Sequence, residues 1–161
     1  MEQSKQIIIS HRGNITGPNT AVYGENHPNS IKNVLDMGFY CEVDVRWVEG
    51  EGIFLGHDKP EYKIDKKFLY DHRLYIHCKD VITLYKLNPQ PITYIKMFFH
   101  QNDDIAVIIN SDLLWSFPRA DVILTPKSIA VLPELVDDWE GLNNVAGVCT
   151  DYPIKYSKAD I

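Results

Sequence analysis

The sequence lacks any apolar run of the ~18–20 residues that a membrane-spanning helix needs. The first residues, Met1 to Lys5, also lack the basic segment followed by a long apolar stretch that is typical of a secretion signal. We therefore expect a soluble, cytoplasmic protein with no transmembrane segment.

The sequence also lacks a cluster of positive charge. It has 16 Lys and Arg against 22 Asp and Glu, a net charge of −6, and no stretch in which the basic residues are concentrated. Because phosphate backbones are bound through concentrated positive charge, this composition tells against nucleic acid as a partner.

Cysteines are few and widely separated. The chain has three, Cys41, Cys78 and Cys149, each in an apolar, strand-like context and none in a CxxC pair. This pattern predicts buried, reduced thiols rather than a disulfide framework or a zinc knuckle. With 161 residues, the chain is long enough for one sizeable core and too short for two ordinary domains. We predict that residues 1–161 form a single domain.

The most informative stretch is Cys41-Glu42-Val43-Asp44-Val45-Arg46-Trp47. Its apolar and charged residues alternate, so Glu42 and Asp44 project to the same side of an extended strand. Two carboxylates that share a buried face repel each other unless a cation lies between them, and oxygen ligands suit Mg²⁺ or Ca²⁺. An isolated Glu-x-Asp is also typical of a solvated edge strand. The neighbouring stretches favour the metal interpretation.

Two further apolar runs end in histidine. Gln6-Ile7-Ile8-Ile9-Ser10-His11-Arg12-Gly13 is typical of a buried strand that places His11 and Arg12 at its C-terminal end. Gly52-Ile53-Phe54-Leu55-Gly56-His57-Asp58 predicts a second short strand followed by His57.

The ordered set of strand-His-Arg-Gly, strand-Glu-x-Asp and strand-His-Asp resembles the N-terminal signature of the glycerophosphodiester phosphodiesterases, within the phospholipase-C-like phosphodiesterase superfamily. Near the other end, Gly147-Val148-Cys149-Thr150-Asp151-Tyr152-Pro153 is similar to the Gly-x-x-Thr-Asp-x-Pro of that family. The run from Ile76-His77-Cys78-Lys79 through Phe99-His100-Gln101 to Ser128-Ile129-Ala130-Val131 resembles a compact subgroup often associated with bacterial surface-polysaccharide genes. Two departures stand out: Pro28 replaces a family glutamate, and His77-Cys78-Lys79 replaces Glu-x-Lys, whose glutamate is the third metal ligand.

The resemblance implies an α/β fold, a (β/α)8 TIM barrel, which usually takes ~250 residues. At 161 residues, we expect a small, trimmed (β/α)8 TIM-barrel-like domain with several helices missing or shortened. Residues 28–38 carry the start and stop signals of one helix. Residues 105–109 and 113–117 predict a hairpin around a polar turn.

The resemblance also implies roles for individual residues. His11 and His57 would share the acid and base work, Glu42 and Asp44 would bind the divalent cation, and Arg12 and Lys79 would bind the substrate phosphate. His77 and His100, at predicted strand ends, are open between a structural role and a role as metal ligand or phosphate contact.

These roles indicate a phosphoric diester hydrolase, a metal-dependent phosphodiesterase acting on a small glycerophosphodiester-like molecule or a phosphoglycan. Two alternatives remain open. One is a lyase in which a substrate hydroxyl attacks the phosphorus and leaves a cyclic phosphate. The other is a catalytically inactive phosphate or glycan-phosphate binding module, which the missing glutamate and the Pro28 departure favour.

Overall fold

The computed structural model of the protein describes residues 5–88 and 94–158. Met1 to Ser4, part of the N-terminal stretch considered above, lie outside the described residues. Ten strands in the described ranges belong to one sheet: β1 (Ile7–His11), β2 (Tyr40–Val48), β3 (Gly52–Leu55), β4 (Tyr62–Ile64), β5 (Leu74–Cys78), β6 (Lys96–Phe98), β7 (Ile105–Val107), β8 (Leu114–Ser116), β9 (Ser128–Val131) and β10 (Gly147–Thr150).

The sheet is mixed and curled. Along its main path the strand order is β4-β3-β2-β1-β10-β9-β8-β7, and β5 pairs with β2 and with β6. The pairs among β8, β9, β10, β1, β2, β5 and β6 are parallel, whereas β2 with β3, β3 with β4 and β7 with β8 are antiparallel. An isolated antiparallel bridge joins Met97 of β6 to Ile109, just beyond β7.

The prediction of a (β/α)8 TIM-barrel-like domain is therefore wrong. The described residues form a curled half-barrel with three short helices, α1 (Pro28–Asp36), α2 (Val81–Leu87) and α3 (Pro153–Lys158). Helices do not alternate with strands, because several connections are too short or are occupied by antiparallel strands. Residues 99–104 are all that separate β6 from β7, and a crossover with its own helix needs at least ~10–12 residues.

Two predictions of single elements are confirmed, although the prediction of the whole fold is wrong. Helix α1 confirms the helix expected within residues 28–38: Pro28 lies in its first turn, and the His27 side chain caps it by accepting a hydrogen bond from the Asn29 N–H at 3.1 Å. The hairpin expected at residues 105–117 is confirmed by the antiparallel pair β7 and β8. Strand β4 was not predicted, because its three residues lie in a stretch of mixed charge.

The parallel register brings polar strand ends together. His11 on β1 lies beside Glu42 on β2, and Asp44 on β2 lies beside His77 on β5. The strands around them are buried, and the three cysteines are buried and free, as predicted. Within residues 5–88 and 94–158, no helix is long and apolar enough to cross a membrane.

Candidate functional site

The first contact of the candidate site is between two residues near opposite ends of the chain. His11, at the end of β1, contacts Asp151, which directly follows β10, with 2.8 Å between Nδ1 and Oδ1. The parallel pairing of β1 with β10 sets this contact, since Ser10 lies opposite Thr150. The other ring nitrogen of His11, Nε2, lies 3.9 Å from Oε2 of Glu42. Asp151 thus orients the imidazole so that Nε2 faces the Glu42 carboxylate.

Asp44 is the most heavily contacted acid of the site and has no exposed surface. Its Oδ2 lies 3.0 Å from Nε of Arg12 and accepts a hydrogen bond from Nδ2 of Asn26 at 2.8 Å. Its Oδ1 lies 3.4 Å from Nζ of Lys79 and 3.1 Å from Nδ1 of His77. Three groups that can carry positive charge therefore surround one buried carboxylate.

His77 joins the two carboxylates of β2. Its Nδ1 is 3.1 Å from Oδ1 of Asp44 and 3.6 Å from Oε1 of Glu42. The ring stacks on Phe98, with centroids 4.9 Å apart and planes at 11°, and on His100, with centroids 4.7 Å apart and planes at 26°. These contacts fix the plane of the imidazole.

The loop between β1 and α1 supplies three residues that sequence analysis did not assign to the site. Asn14 donates from Nδ2 to Oδ1 of Asp151 at 2.8 Å and to Oε1 of Glu25 at 2.7 Å. Oε2 of Glu25 lies 3.4 Å from Arg12. Asn26 also accepts the Asp44 backbone N–H at 2.9 Å. Nothing in the spacing of the polar residues in this loop identifies which of them turn inward.

Asp151 was also missed as a site residue. The signal was present in the Thr150-Asp151 pair, which is part of the motif Gly-x-x-Thr-Asp-x-Pro. Glu134 supports the same strand end, because its carboxylate accepts hydrogen bonds from the Thr150 hydroxyl and the Asp151 N–H, each at 3.0 Å.

His57 lies at the rim rather than in the buried cluster. Its side chain is 40% exposed, and its Nδ1 is 2.7 Å from Oδ1 of the exposed Asp58. Among the described residues, no hydrogen bond or ion pair joins this side chain to the carboxylates of β2. The backbone is nevertheless close, since Gly56 donates its N–H to the Asp44 carbonyl at 3.0 Å and Arg46 bonds to the His57 carbonyl.

Within the described ranges, His100 contacts the site by stacking on His77. Besides stacking on that ring, it contacts the Phe117 ring at 4.0 Å between centroids, and its Nδ1 lies 3.3 Å from Oδ1 of Asp103. Burial and the neighbouring charge of His77 lower the pKa of His100. We assign His100 to the packing of His77.

The electrostatics of the cluster keep its acids charged. Burial raises the pKa of Asp44, but His77, Arg12 and Lys79 outweigh burial and hold that pKa well below its usual range. Burial likewise raises the pKa of Asp151, and the bond to His11 more than reverses the effect.

The two buried histidines respond in the opposite direction. Burial lowers the pKa of His11, but the hydrogen bond to Asp151 and the charge of Glu42 leave it raised. Burial also lowers the pKa of His77, and its bonds to Asp44 and Glu42 outweigh burial. In both cases a nearby carboxylate favours the charged ring.

One carboxylate oxygen of the cluster is left without a hydrogen-bond donor. Oε2 of Glu42 is buried, finds no hydrogen-bond partner in the described structure and lies 3.9 Å from Nε2 of His11, whereas Oδ1 of Asp44 contacts His77 and Lys79. Glu42, Asp44 and His77 each offer one ligand atom, and these three atoms all lie within 4.8 Å of one another. Buried polar atoms are nearly always paired, so an unpaired acceptor beside a ring nitrogen fits a cation site.

The structure thus brings six predicted residues into one contact network: His11, Arg12, Glu42, Asp44, His77 and Lys79. His100 packs behind this network and His57 lies at its rim. Comparison with known proteins adds no family: no protein-family model, no curated protein and no solved structure matches the chain.

Proposed function

We propose that this protein is a metal-dependent phosphodiesterase that hydrolyses a glycerophosphodiester-like or glycan-linked phosphodiester. The observation that carries the proposal is the buried cluster of Glu42, Asp44 and His77, with an unpaired oxygen on Glu42 and with Arg12 and Lys79 in contact with Asp44. Phosphoryl transfer needs positive charge at the phosphate oxygens and a proton-transfer group; Arg12, Lys79 and a cation bound to the cluster would supply the charge, and His11 would transfer the proton.

The charges around the cluster leave room for a divalent cation. The contact network, together with Glu25 and Asp151 that contact it, holds four carboxylates, those of Glu25, Glu42, Asp44 and Asp151, and two permanent cations, Arg12 and Lys79. Four negative charges less two positive charges leave −2 when the histidines are neutral. Without an ion, the protons of His11 and His77, whose pKa values are raised, supply the balancing charge. One divalent ion would replace those two protons and, when bound, would polarise and neutralise the phosphate oxygens.

Arg12 and Lys79 are suited to hold the phosphate. Their side chains are 19% and 13% exposed, so they are neither sealed in the core nor free in solvent. Arg12 also has a left-handed backbone, with φ +56°, and its N–H bonds to the Glu42 carbonyl at 3.1 Å. A non-glycine residue in this conformation costs of order 1–3 kcal/mol, and such residues are common at functional sites, which supports a functional role for Arg12.

His11 is suited to proton transfer. Its Nδ1 is taken by Asp151, whereas Nε2 is not within hydrogen-bonding distance of Glu42 and remains available to substrate or water. In hydrolysis, a water oxygen attacks phosphorus and its proton passes to a base. The bond from phosphorus to the alcohol oxygen then breaks, and the leaving alkoxide takes a proton from an acid. We assign His11 to one of these steps and His57, at the rim, to the other.

A specific observation favours the binding-module alternative. His57 lies outside the contact network, and both permanent cations of the network, Arg12 and Lys79, are already paired with Asp44. A phosphate-binding protein needs the cations but not a second histidine. The cyclising lyase differs from the hydrolase only in its product.

Activity assays separate the three functions. We would measure turnover of a chromogenic phosphodiester and of glycerophosphodiesters with Mg²⁺, Ca²⁺, Mn²⁺ and Zn²⁺, following the products by phosphorus NMR. A phosphomonoester indicates the hydrolase, and a cyclic phosphate indicates the lyase. Saturable binding of the same diesters without turnover would establish the binding module and overturn the proposal.

The histidine variants test the division of labour. His11→Ala and His57→Ala should each lose ~10²–10⁴-fold in rate, the typical contribution of a general acid or base. Residues that act as one unit do not add, so the double variant should be little worse than the slower single variant. His72→Ala, at an exposed loop histidine, is the matched control. Unchanged rates in both single variants would refute two-histidine catalysis.

A further inference from the structure

We propose that the cluster of Glu42, Asp44 and His77 selects a nitrogen-accepting transition ion of the Zn²⁺ class over Mg²⁺ and Ca²⁺, and that His77 sets this preference. The inference rests on the proposed function, because both need an ion at Glu42 and Asp44. It goes beyond that function by naming the class of ion and the residue that chooses it.

The donor atoms are one ring nitrogen and two carboxylate oxygens. Nδ1 of His77 lies 3.1 Å from Oδ1 of Asp44 and 3.6 Å from Oε1 of Glu42. A tetrahedral or octahedral ion with bonds of about 2.1 Å holds neighbouring ligand atoms about 3.0–3.4 Å apart. The spacing around His77 is therefore close to that of a bound ion, without rearrangement of the strands.

An independent observation marks the cluster as a cation site rather than a set of neighbouring acids. Oε2 of Glu42 is a buried acceptor with no hydrogen bond in the described part of the chain. Glu42 is 2% exposed, so bulk water does not solvate this oxygen. An unpaired, dehydrated carboxylate oxygen is costly, and a cation removes that cost.

Strand pairing and ring stacking hold Nδ1 of His77 in place beside the carboxylates. His77 lies directly opposite Asp44 in the parallel register of β5 and β2. Its ring stacks on Phe98 and on His100, which fixes the ring plane so that Nδ1 faces the carboxylates. Packing that locks the rotamer of a ligand is the usual support of a selective metal site.

The chemistry of the ligands sets the preference. Imidazole nitrogen suits Zn²⁺, Fe²⁺ and Ni²⁺, whereas Mg²⁺ and Ca²⁺ take oxygen from carboxylates, carbonyls and water. A histidine among three protein ligands therefore contributes strongly to Zn²⁺ binding and little to Mg²⁺ binding. A glutamate at the same position would make the set all-oxygen and reverse that contribution.

The opposing interpretation is that His77 serves only as a positively charged partner of the two carboxylates. A charged imidazole has no free electron pair for an ion, so on this view the wild-type cluster binds no cation. The two interpretations differ in metal binding by the isolated protein, without any assay of activity.

The experiment is calorimetric titration of the purified, metal-stripped protein with Zn²⁺, Mn²⁺, Mg²⁺ and Ca²⁺, with thermal melting as a second readout. The variants are His77→Glu, His77→Gln and, as the control at an exposed histidine, His72→Glu. We expect wild type to bind one Zn²⁺ at least 100-fold more tightly than Mg²⁺ or Ca²⁺. His77→Glu should lower that ratio at least tenfold, and His72→Glu should leave it unchanged.

Circular dichroism checks the fold of each variant, and His77→Gln provides an uncharged replacement if His77→Glu does not fold. His77→Gln should weaken Zn²⁺ binding at least tenfold and alter Mg²⁺ binding little. Equal affinity of wild type for Zn²⁺ and Mg²⁺, or an unchanged ratio in the His77 variants, would overturn the preference and leave the proposed function standing. No ion bound by wild type would overturn the metal site of the proposed function as well.

Discussion

Asp151 is the residue whose role depends most on long-range structure. It lies 140 positions from His11 in the chain. Its Oδ1 is hydrogen-bonded to Nδ1 of His11 at 2.8 Å and accepts a second hydrogen bond from Asn14. Its carboxylate selects the ring orientation in which Nε2 faces Glu42. In the proposed function it is therefore a positioning residue that acts through His11.

Asp151→Asn should lower kcat about 10–100-fold and leave KM within about twofold, because the amide no longer favours the required orientation and charge of His11. Steady-state kinetics on a chromogenic phosphodiester measure both constants. Asp137→Asn, at an exposed aspartate, is the matched control. A purely structural role for Asp151 would instead lower the melting temperature and leave kcat of the folded fraction unchanged.

Asp44 links the stability of the protein to the proposed metal site. Its charge is shared by Arg12, Lys79 and His77, so Asp44→Asn leaves buried cations without their partner. Breaking such a buried pair costs about 3–5 kcal/mol in the free energy of unfolding.

We expect the free energy of unfolding of Asp44→Asn to be lower than that of wild type by that amount, so that the variant unfolds at lower urea concentration, and we expect it to lose the stabilisation by the proposed metal. At an ion concentration 100 times the dissociation constant, that stabilisation is ~2.7 kcal/mol in wild type. Urea titrations with and without Zn²⁺ or Mg²⁺ measure both effects, with Asp137→Asn as control. Equal metal-induced stabilisation of wild type and Asp44→Asn would show that Asp44 is not a ligand.

At the scale of elements, the seam between β1 and β10 holds His11 next to Asp151. Gly147 begins β10 opposite Ile7, where the two backbones approach closely. A Cβ atom at Gly147 would lie 2.4 Å from the Ile7 carbonyl oxygen and 2.8 Å from the Ile7 Cβ. Neither atom can move without shifting β1.

Gly147→Ala should destabilise the protein by about 1–3 kcal/mol through this overlap and lower activity by displacing β10 and Asp151. Urea unfolding and the chromogenic assay measure the two effects. Gly50→Ala is the control for adding a methyl group: its Cβ meets nothing within 4 Å, although φ is +76°, so it should cost about 1–2 kcal/mol and leave activity unchanged. Full activity in Gly147→Ala would show that the seam does not position Asp151.

The start of β5 is tied to α1 by Arg73. Its guanidinium pairs with Asp71 at 2.7 Å and donates to the Leu35 carbonyl at 3.0 Å. The bond to Arg73 lowers the pKa of Asp71 below its unfolded value. A lowered pKa contributes stability that is present above the unfolded pKa and is lost as pH falls through the folded pKa.

Asp71→Asn should therefore cost about 0.5–1 kcal/mol at neutral pH, because the pair is about one-third exposed. The difference from wild type should shrink as pH falls below about 4. Urea unfolding at pH 7, 5 and 3 provides the comparison, and Asp137→Asn should match wild type throughout. A cost that grows as pH falls would contradict this linkage.

At the scale of the whole molecule, one continuous sheet runs through the described residues and carries the site on its strand ends. Three buried clusters pack along this sheet: one around β2 and β5, one around β1 and Trp115, and one around Val148 and Trp139. Strands shared between neighbouring clusters couple their unfolding.

We expect unfolding in urea to be a single cooperative transition, as the predicted single domain requires. Far-ultraviolet circular dichroism and tryptophan fluorescence should give the same midpoint, because each cluster has its own tryptophan. Trp115 and Trp139 lie in two of the clusters, and Trp47 packs against the cluster around β2 and β5. Two resolved transitions would show that the sheet contains independently stable parts.

Much of the site was predictable because its signals are local. Alternation in β2 placed Glu42 and Asp44 on one side, and the apolar runs placed His11 and His77 at strand ends. The start and stop signals of α1 and the polar turn between β7 and β8 predicted those elements for the same reason. In each case, neighbouring residues alone specify the backbone.

The tertiary structure decided what local patterns do not contain. The pairing of strands, the absence of helices between β6 and β7, and the antiparallel β3, β4 and β7 made a curled sheet where the sequence suggested a trimmed barrel. Only the packed fold brings Asp151 and Asn26 to the cluster and leaves His57 at its rim. The physical reason is that residue periodicity determines the conformation of a segment, whereas the partner of each segment depends on packing between residues far apart in the chain.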